Sequence, residues 1–195
     1  MITIMRKIEF LAGIAMITAA ASIAQATEFN LLQADKSAMS FVFKQMNVPV
    51  EGGFKRFKGQ ISFDPAKPAL AKAEIGIELA SIDAGSAEAN DEVAGKLWLN
   101  TKAFPIARFV STSVKPLGNN RFEVAGKMSI KGRTHDVSTP ATFRQEGNNG
   151  VFEGSFVLKR ADYGIGEGMW ADFGTVANEV QIKFRLLASA VASNK

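Results

Sequence analysis

From residue 39 onward, apolar and polar side chains alternate along most of the chain. Met39, Phe41 and Phe43 interleave with Ser40, Val42 and Lys44, and Phe57, Gly59, Ile61 and Phe63 with Lys58, Gln60 and Ser62. Ala73, Ile75, Ile77 and Leu79 repeat the pattern, as do Phe122, Val124, Gly126, Met128 and Ile130. So do Val137, Thr139, Ala141 and Phe143, then Phe152, Gly154, Phe156 and Leu158, then Val180, Ile182, Phe184 and Leu186. A period of two places one row of side chains in a core and the other in water, which is the mark of a strand. Ile106 to Lys115 reads as a further strand with a weaker pattern. Turn signals separate the runs at Asp64-Pro65, Leu117-Gly118-Asn119-Asn120, Lys131-Gly132 and Gly147-Asn148-Asn149-Gly150. Connections this short imply antiparallel neighbours. An all-β fold of about eight strands follows, either a closed barrel or a sandwich. Gly52-Gly53, Gly59 and Gly126 are placed to let strands bend.

One segment breaks the alternation. Ser86 suits a helix N-cap, and Glu88, Asp91 and Glu92 favour a helix start through the dipole. Val93 and Leu97 lie four apart, and Trp98 follows. Thr101 to Pro105 reads as one more turn. The expectation is a short helical insertion around 86–104, with Trp98 and Phe104 covering a mouth or an edge of the barrel.

The N-terminus has a different grammar. Arg6 and Lys7 precede an apolar stretch from Ile8 to Ile23, and Ala24-Gln25-Ala26 supplies small residues at a cleavage site. This is the layout of a secretory signal peptide over residues 1–26. Its strongly apolar part is shorter than the roughly 20 residues that span a bilayer. The expected mature domain is residues 27–195, a single unit large enough to bury a core.

Composition narrows the chemistry. The chain has no cysteine, so packing alone must hold the domain outside the cytoplasm. A single histidine argues against a histidine metal site or a Ser-His-Asp triad. The formal net charge of +4 falls by one when Arg6, Lys7 and Glu9 are removed, too mild to call for nucleic acid. Fifteen phenylalanines stand against one tyrosine. Aromatics without a polar handle fill cores or line greasy cavities.

Particular stretches resemble the YceI-like family. They are Asp35-Lys36-Ser37-Ala38-Met39-Ser40-Phe41, Arg56 to Pro65, Ala80-Ser81-Ile82-Asp83-Ala84-Gly85, Phe104-Pro105-Ile106-Ala107-Arg108-Phe109, Gly126 to Gly132, and Arg160-Ala161-Asp162-Tyr163-Gly164-Ile165-Gly166. In order and spacing they cover about Phe29 to Leu187. The resemblance implies an eight-stranded antiparallel lipocalin-like barrel that binds a long isoprenoid lipid in an internal tunnel, in many members in the periplasm. Lys36 is a departure, since many relatives carry His there. The Val48-Pro49-Val50-Glu51-Gly52-Gly53 and Gly166-Glu167-Gly168-Met169-Trp170 stretches look like subgroup features.

On this reading the tunnel is lined by Phe41, Phe43, Phe57, Ile61, Phe63, Ile75, Ile77, Leu79, Trp98, Phe104, Phe109, Phe122, Met128 and Phe156. On pattern alone Phe41, Phe43, Phe57, Phe63, Ile75, Ile77, Leu79, Phe122, Met128 and Phe156 read as an ordinary core, and it is the resemblance that favours a tunnel. Arg160, Asp162, Tyr163, Trp170 and Ser37 are candidate polar contacts. Arg160 would meet a phosphate or carbonyl oxygen, or else pair with Asp162. The clusters Lys55, Arg56, Lys58 and Lys131, Arg133, His135 suggest transient contact with an anionic membrane surface, or simply solvated strand faces. No nucleophile–base pair, metal set or phosphate loop stands out, so the expectation is a binding protein, not an enzyme, with no cofactor. The leading expectation is a periplasmic protein that shields or carries an isoprenoid-type amphiphile such as a quinone or polyprenyl lipid. The rivals are a binder of a fatty acid or fatty amide, and a filled scaffold serving a membrane redox complex. A homodimer stays open.

Overall fold

The computed structural model describes residues 28–190. The expected signal peptide lies outside the described residues. The rest is an antiparallel sheet with one short helix. Its strands are β1 (Phe29–Leu32), β2 (Ala38–Gln45), β3 (Val48–Phe54), β4 (Phe57–Ser62), β5 (Lys72–Glu78), β6 (Ile82–Asp83), β7 (Ile106–Gly118), β8 (Arg121–Ile130), β9 (Arg133–Glu146), β10 (Asn149–Lys159) and β11 (Val176–Ala190). Helix α1 (Ala87–Ala94) lies between β6 and β7.

The count is eleven strands where eight were expected: the alternating runs correspond to β2, β4, β5 and β7 to β11, and β1, β3 and β6 are additional. Three runs are each broken once. Ala34–Lys36 forms a 3-10 turn between β1 and β2, Lys55-Arg56 separates β3 from β4, and Leu79–Ser81 forms a 3-10 turn between β5 and β6. Joined across these breaks, the segments make eight runs. Each run pairs with the next, from β2–β3 through β4–β5, β5–β7, β7–β8, β8–β9, β9–β10 and β10–β11. β11 then returns to β2 and β1, and the ring closes. Phe29 and Phe63 exchange two backbone hydrogen bonds (2.9 and 3.1 Å) and tie β1 to the end of β4.

The breaks are wired, not loose. Ser81 Oγ donates to the Glu78 carbonyl (2.6 Å) and accepts from the Arg56 N–H (3.0 Å), so one hydroxyl fastens two of them. Ser37 Oγ donates to the Gln33 carbonyl (2.7 Å) and accepts from the Leu187 N–H (2.9 Å), which fastens the third to β11.

β3 is the longest of the three strands that alternation does not reveal, the others being β1 and β6. Its Pro49 lacks an N–H, and its Gly52 and Gly53 carry no side chain to pattern. Proline is tolerated because β3 pairs on that side only with β2, since β6 reaches only Gly53 and Phe54. Gly52 is required by close approach: a Cβ there would overlap the Phe41 ring and the Asp83 carbonyl. Gly126 makes the same room for Phe109. These two glycines admit aromatic rings against the backbone, in addition to any bending they allow.

Helix α1 begins as its sequence dictates. Ser86 is extended and its hydroxyl accepts from the Ala89 N–H (3.2 Å). The helix stops at Gly95, well short of Leu99. Thr101 to Phe104 adds a single turn, closed by the Phe104 N–H on the Asn100 carbonyl (2.9 Å).

Candidate functional site

The inward rows of the barrel do not meet. They enclose a cavity of about 650 Å³, within the roughly 300–1,000 Å³ range of small-molecule sites. Its wall is overwhelmingly apolar. Phe41, Phe43, Ile61, Phe63, Ile75, Ile77, Leu79, Trp98, Phe109, Phe122, Met128, Phe156, Arg160 and Trp170 all contribute to it. Of the residues expected to line a tunnel, the structure places Phe57, Phe104 and Tyr163 elsewhere. Phe57 is buried, but it borders an outer groove beside the β1–β2 break. Phe104 packs over the β8–β9 turn, where a Cβ on Gly132 would lie 2.9 Å from its ring. Its neighbour Pro105 ends the turn before the chain enters β7, and this carries Phe104 outside the wall.

Phenylalanine rings close one end of the cavity. Phe63 lies 4.7 Å from Phe143, 5.0 Å from Phe152 and 5.5 Å from Phe122, centroid to centroid. Phe29 backs Phe143 at 5.3 Å. Tilted and edge-on contacts of this kind add about 0.5–1.5 kcal/mol per pair beyond burial.

The other end is made by α1 and the segment 160–176. Trp98 and Trp170 sit 5.4 Å apart, and the Trp170 Nε1–H donates to Glu92 Oε1 of α1 (2.7 Å). Glu88, Glu92 and Gln45 border the cavity here. Hydrogen bonds from its own backbone N–H and from Ser86 hold the Glu88 carboxyl below its ordinary range.

Arg160 organises this end, and its role is not the one expected. Its side chain is 2% exposed. Nε donates to the Ala177 carbonyl (3.2 Å), Nη1 to Ile165 and Gly166 (2.8 and 2.9 Å), and Nη2 to Trp170 and Val176 (2.8 Å each). All five N–H groups are taken by backbone carbonyls, so none is left for a phosphate. Nor does Arg160 pair with Asp162. Its Cζ stands 5.6 Å over the Trp98 ring and 5.1 Å over Phe173. Burial draws its pKa down, with a compensating pull from Asp172. The residue is a clip that shapes the 160–176 segment.

The remaining polar candidates serve the fold as well. Ser37 is held as described above. Asp162 offers its backbone carbonyl to His135 Nε2 (3.0 Å). Tyr163 is 2% exposed behind the wall, with His135 edge-on at 4.9 Å. Its hydroxyl has no partner, and burial, then Asp162, pushes its pKa up to about 12. Lys36 does not face the cavity. In the two cationic clusters Lys55 pairs with Asp83 (2.8 Å) and Arg56 with Glu78 (2.7 Å), while Lys131 and Arg133 share Glu167 (3.0 and 3.5 Å). These three carboxylates offset part of the positive charge expected to draw an anionic surface.

Sequence reasoning missed one feature of the lining. Trp98 is 8% exposed, and its Nε1–H has no acceptor. An unmade buried hydrogen bond costs about 1–3 kcal/mol. No sequence pattern marks such a group, because its isolation depends on where Arg160 and Trp170 settle around it.

Comparison with known proteins agrees with this architecture. The crystal structure of Burkholderia cenocepacia BcnA superposes with a TM-score of 0.79 at 46% identity, covering 81% of this chain and 99% of that one. A polyisoprenoid binding domain from Saccharophagus degradans superposes with a TM-score of 0.67 at 16% identity, covering 85% of this chain and 99% of that one, a likeness of fold alone. A UPF0312 protein of Azotobacter vinelandii is 35% identical over 137 residues, 67% of this chain and 69% of its own length. One from Pseudomonas fluorescens is 36% identical over 144 residues, 68% and 71% of the two chains. The YceI-like domain profile matches residues 31–188, and the chain therefore belongs to the YceI-like family.

Proposed function

We propose that this protein binds a long isoprenoid-type amphiphile inside its barrel and shields the tail from water in the periplasm. The observation that carries this reading is the apolar cavity of about 650 Å³ between a phenylalanine floor and a tryptophan-closed mouth. A filled scaffold would lack such a cavity. The fold it shares with a domain described as polyisoprenoid binding supports the lipid class. The layout of residues 1–26 supports export. Without a nucleophile–base pair on the lining, the reading is of a carrier or store, not of a catalyst.

Energetics define what such a carrier does. At about 0.8 kcal/mol per CH₂, a tail of roughly forty carbons gains about 30 kcal/mol on leaving water. Affinities saturate near 20 kcal/mol, so that sum never appears as binding energy. The tail starts in a membrane that is already apolar, and its transfer into the barrel is close to neutral. The protein acts by exchange and shielding, and selectivity rests on cavity shape and a few polar contacts.

The test is organic extraction of the mature protein purified from its native host, followed by mass spectrometry. The expected result is a co-purifying prenyl lipid at a reproducible stoichiometry. Protein that is reproducibly free of lipid and takes up no added isoprenoid overturns the reading. A fatty acid or fatty amide in its place replaces the ligand class and keeps the carrier.

A further inference from the structure

We propose that the mouth end of the barrel docks on the surface of a phospholipid bilayer by inserting the apolar side chains of Met46, Val48, Leu97, Met169 and Phe173. The use of such a contact, to pass a tail between bilayer and cavity, rests on the lipid-binding reading above. The docking itself does not rest on it and is measured separately.

Ten large apolar side chains stand exposed among the described residues, and these five come together at the mouth. The other five are scattered over β1, β7, β10 and the turn before β5. Met46 and Val48, 69% and 62% exposed, form the tip of the β2–β3 hairpin. The Met46 N–H donates to the Thr175 carbonyl (2.9 Å), which sets that tip beside the segment carrying Phe173. Met169, 81% exposed, directly precedes Trp170. Leu97 lies against the same turn. Its carbonyl accepts from the Gly166 and Glu167 N–H groups (2.9 Å each), and a Cβ on Gly168 would lie 3.5 Å from its side chain. Gln45, beside Met46, and Trp170, beside Met169, both border the cavity, so the apolar rim is continuous with the cavity wall.

Met46 adds an independent observation. It and Asn47 have φ of 48° and 65° and make the two-residue turn between Gln45 and Val48. Turns of this shape favour Gly, Asn and Asp, because other side chains are strained at positive φ. A methionine there carries backbone strain and also leaves an apolar side chain in water. A bilayer beneath the hairpin removes the second of these costs.

A bilayer suits this rim better than a protein partner does. A stable protein interface takes roughly 20–30 closely packed residues a side. Here five side chains stand at the tips of separate segments. A bilayer has no fixed shape to match, and flexible methionines adapt to it readily. Charge does not drive the contact. Lys44 and Lys96 adjoin the rim in the chain, but so do Glu167 and Asp172, and Glu92 is bonded to Trp170. With no excess of positive charge, docking depends on apolar insertion and not on ionic strength.

The test is flotation of the mature protein with phosphatidylcholine vesicles. Binding is expected, and added phosphatidylglycerol or salt should change the partition by less than about twofold. Val48→Glu with Met169→Glu should lower it at least about tenfold, because charges would have to enter the apolar layer. Leu70→Glu with Leu117→Glu, at exposed sites away from the mouth, should float as the wild type does. All four positions are exposed, so the unfolding midpoints of both variants should match the wild type. A second readout uses the absence of cysteine from the chain. Met169→Cys and Leu117→Cys each carry one environment-sensitive fluorophore, and vesicles should shift the first to the blue and leave the second unmoved. Absence of flotation, equal flotation of the Val48→Glu, Met169→Glu variant, or equal shifts of the two labels overturns the proposal. So does a partition that rises with anionic lipid and falls with salt, which assigns the contact to charged faces. Self-association that the same variant abolishes, without vesicle binding, makes the rim a protein interface and overturns it as well. Docking by protein that carries no lipid keeps this proposal and overturns the carrier reading, and lipid-loaded protein that does not dock does the reverse.

Discussion

The two ends of the barrel are closed by opposite means. At the floor, Phe29, Phe63, Phe122, Phe143 and Phe152 interlock through ring contacts, drawn from β1, the end of β4, β8, β9 and β10. At the mouth, closure is polar and local. Arg160 gathers carbonyls from residues 165 to 177, Lys131 donates to the Gly164 carbonyl and to Glu167, and Trp170 reaches across to Glu92. Rings pack without direction, so the floor opens only if several strands separate. Of the mouth's bonds, Arg160's are buried, whereas the Trp170–Glu92 bond lies at an exposed edge, where a hydrogen bond exchanges with water at small net cost. On the proposed lipid-binding reading, the floor stabilises the barrel and the mouth is the end through which a ligand would enter.

The largest test of that contrast is Phe63→Ala. Removing a ring that touches three others is expected to cost about 3–5 kcal/mol in denaturant unfolding. It should leave the selectivity of the mouth unchanged. A loss under about 1 kcal/mol would remove the floor from the stability argument. Arg160→Ala comes next, at about 3 kcal/mol, because several buried carbonyls lose their donor together. Hydrogen exchange should then speed up over 160–176 and hardly change over 121–130. Uniform acceleration across both regions would show that the mouth is not a separate unit.

Trp170→Phe is a smaller change that aims at exchange. It keeps an aromatic ring beside Trp98 and deletes only the bond to Glu92. Stability should fall by less than about 1 kcal/mol, since the contact is solvent-exposed. Lipid transfer between vesicle populations should become faster, and an unchanged transfer rate would show that this contact does not gate the mouth. Acid gives the smallest effect. The Lys131 hydrogen bond, then its charge, holds the Glu167 pKa below its ordinary value. A carboxylate with a lowered folded-state pKa contributes its stability above its unfolded value and loses it as pH falls through the folded one. The mouth should therefore loosen as the pH falls below the ordinary titration range of a glutamate, while the floor stays closed. Tryptophan fluorescence, which reports only Trp98 and Trp170, is suited to follow it.

The floor and the walls were legible in the sequence because burial imposes a period of two on any strand with one wet face. Phe63, Ile75, Ile77, Phe122 and Phe156 are read correctly for that reason alone. The mouth was not legible. Arg160 looks like a ligand contact because sequence shows its charge and hides the carbonyls that fold back around it. Phe104 and Phe57 share the chemistry of lining residues, but local turns decide their direction. β3 escapes because Pro49, Gly52 and Gly53 erase its alternation, and its partners fix it instead. The strand count differed because β1, β3 and β6, each set off by a break such as Leu79–Ser81, are too short or too poor in alternation to be read as strands.

The length of β11 has a consequence for assembly. Its 15 residues pair with β10 along one edge and with both β2 and β1 along the other. Contacts such as Val42 with Gln181, and Leu187 N–H with Ser37 Oγ, join opposite ends of the chain. While the polypeptide is being synthesised, everything through β10 can exist only as an open sheet with two unsatisfied borders. The ring seals when the last strand arrives, and this high-contact-order step should limit the folding rate. A nascent chain is thus kept unlocked until β11 has been made, so closure waits on the synthesis of that one strand.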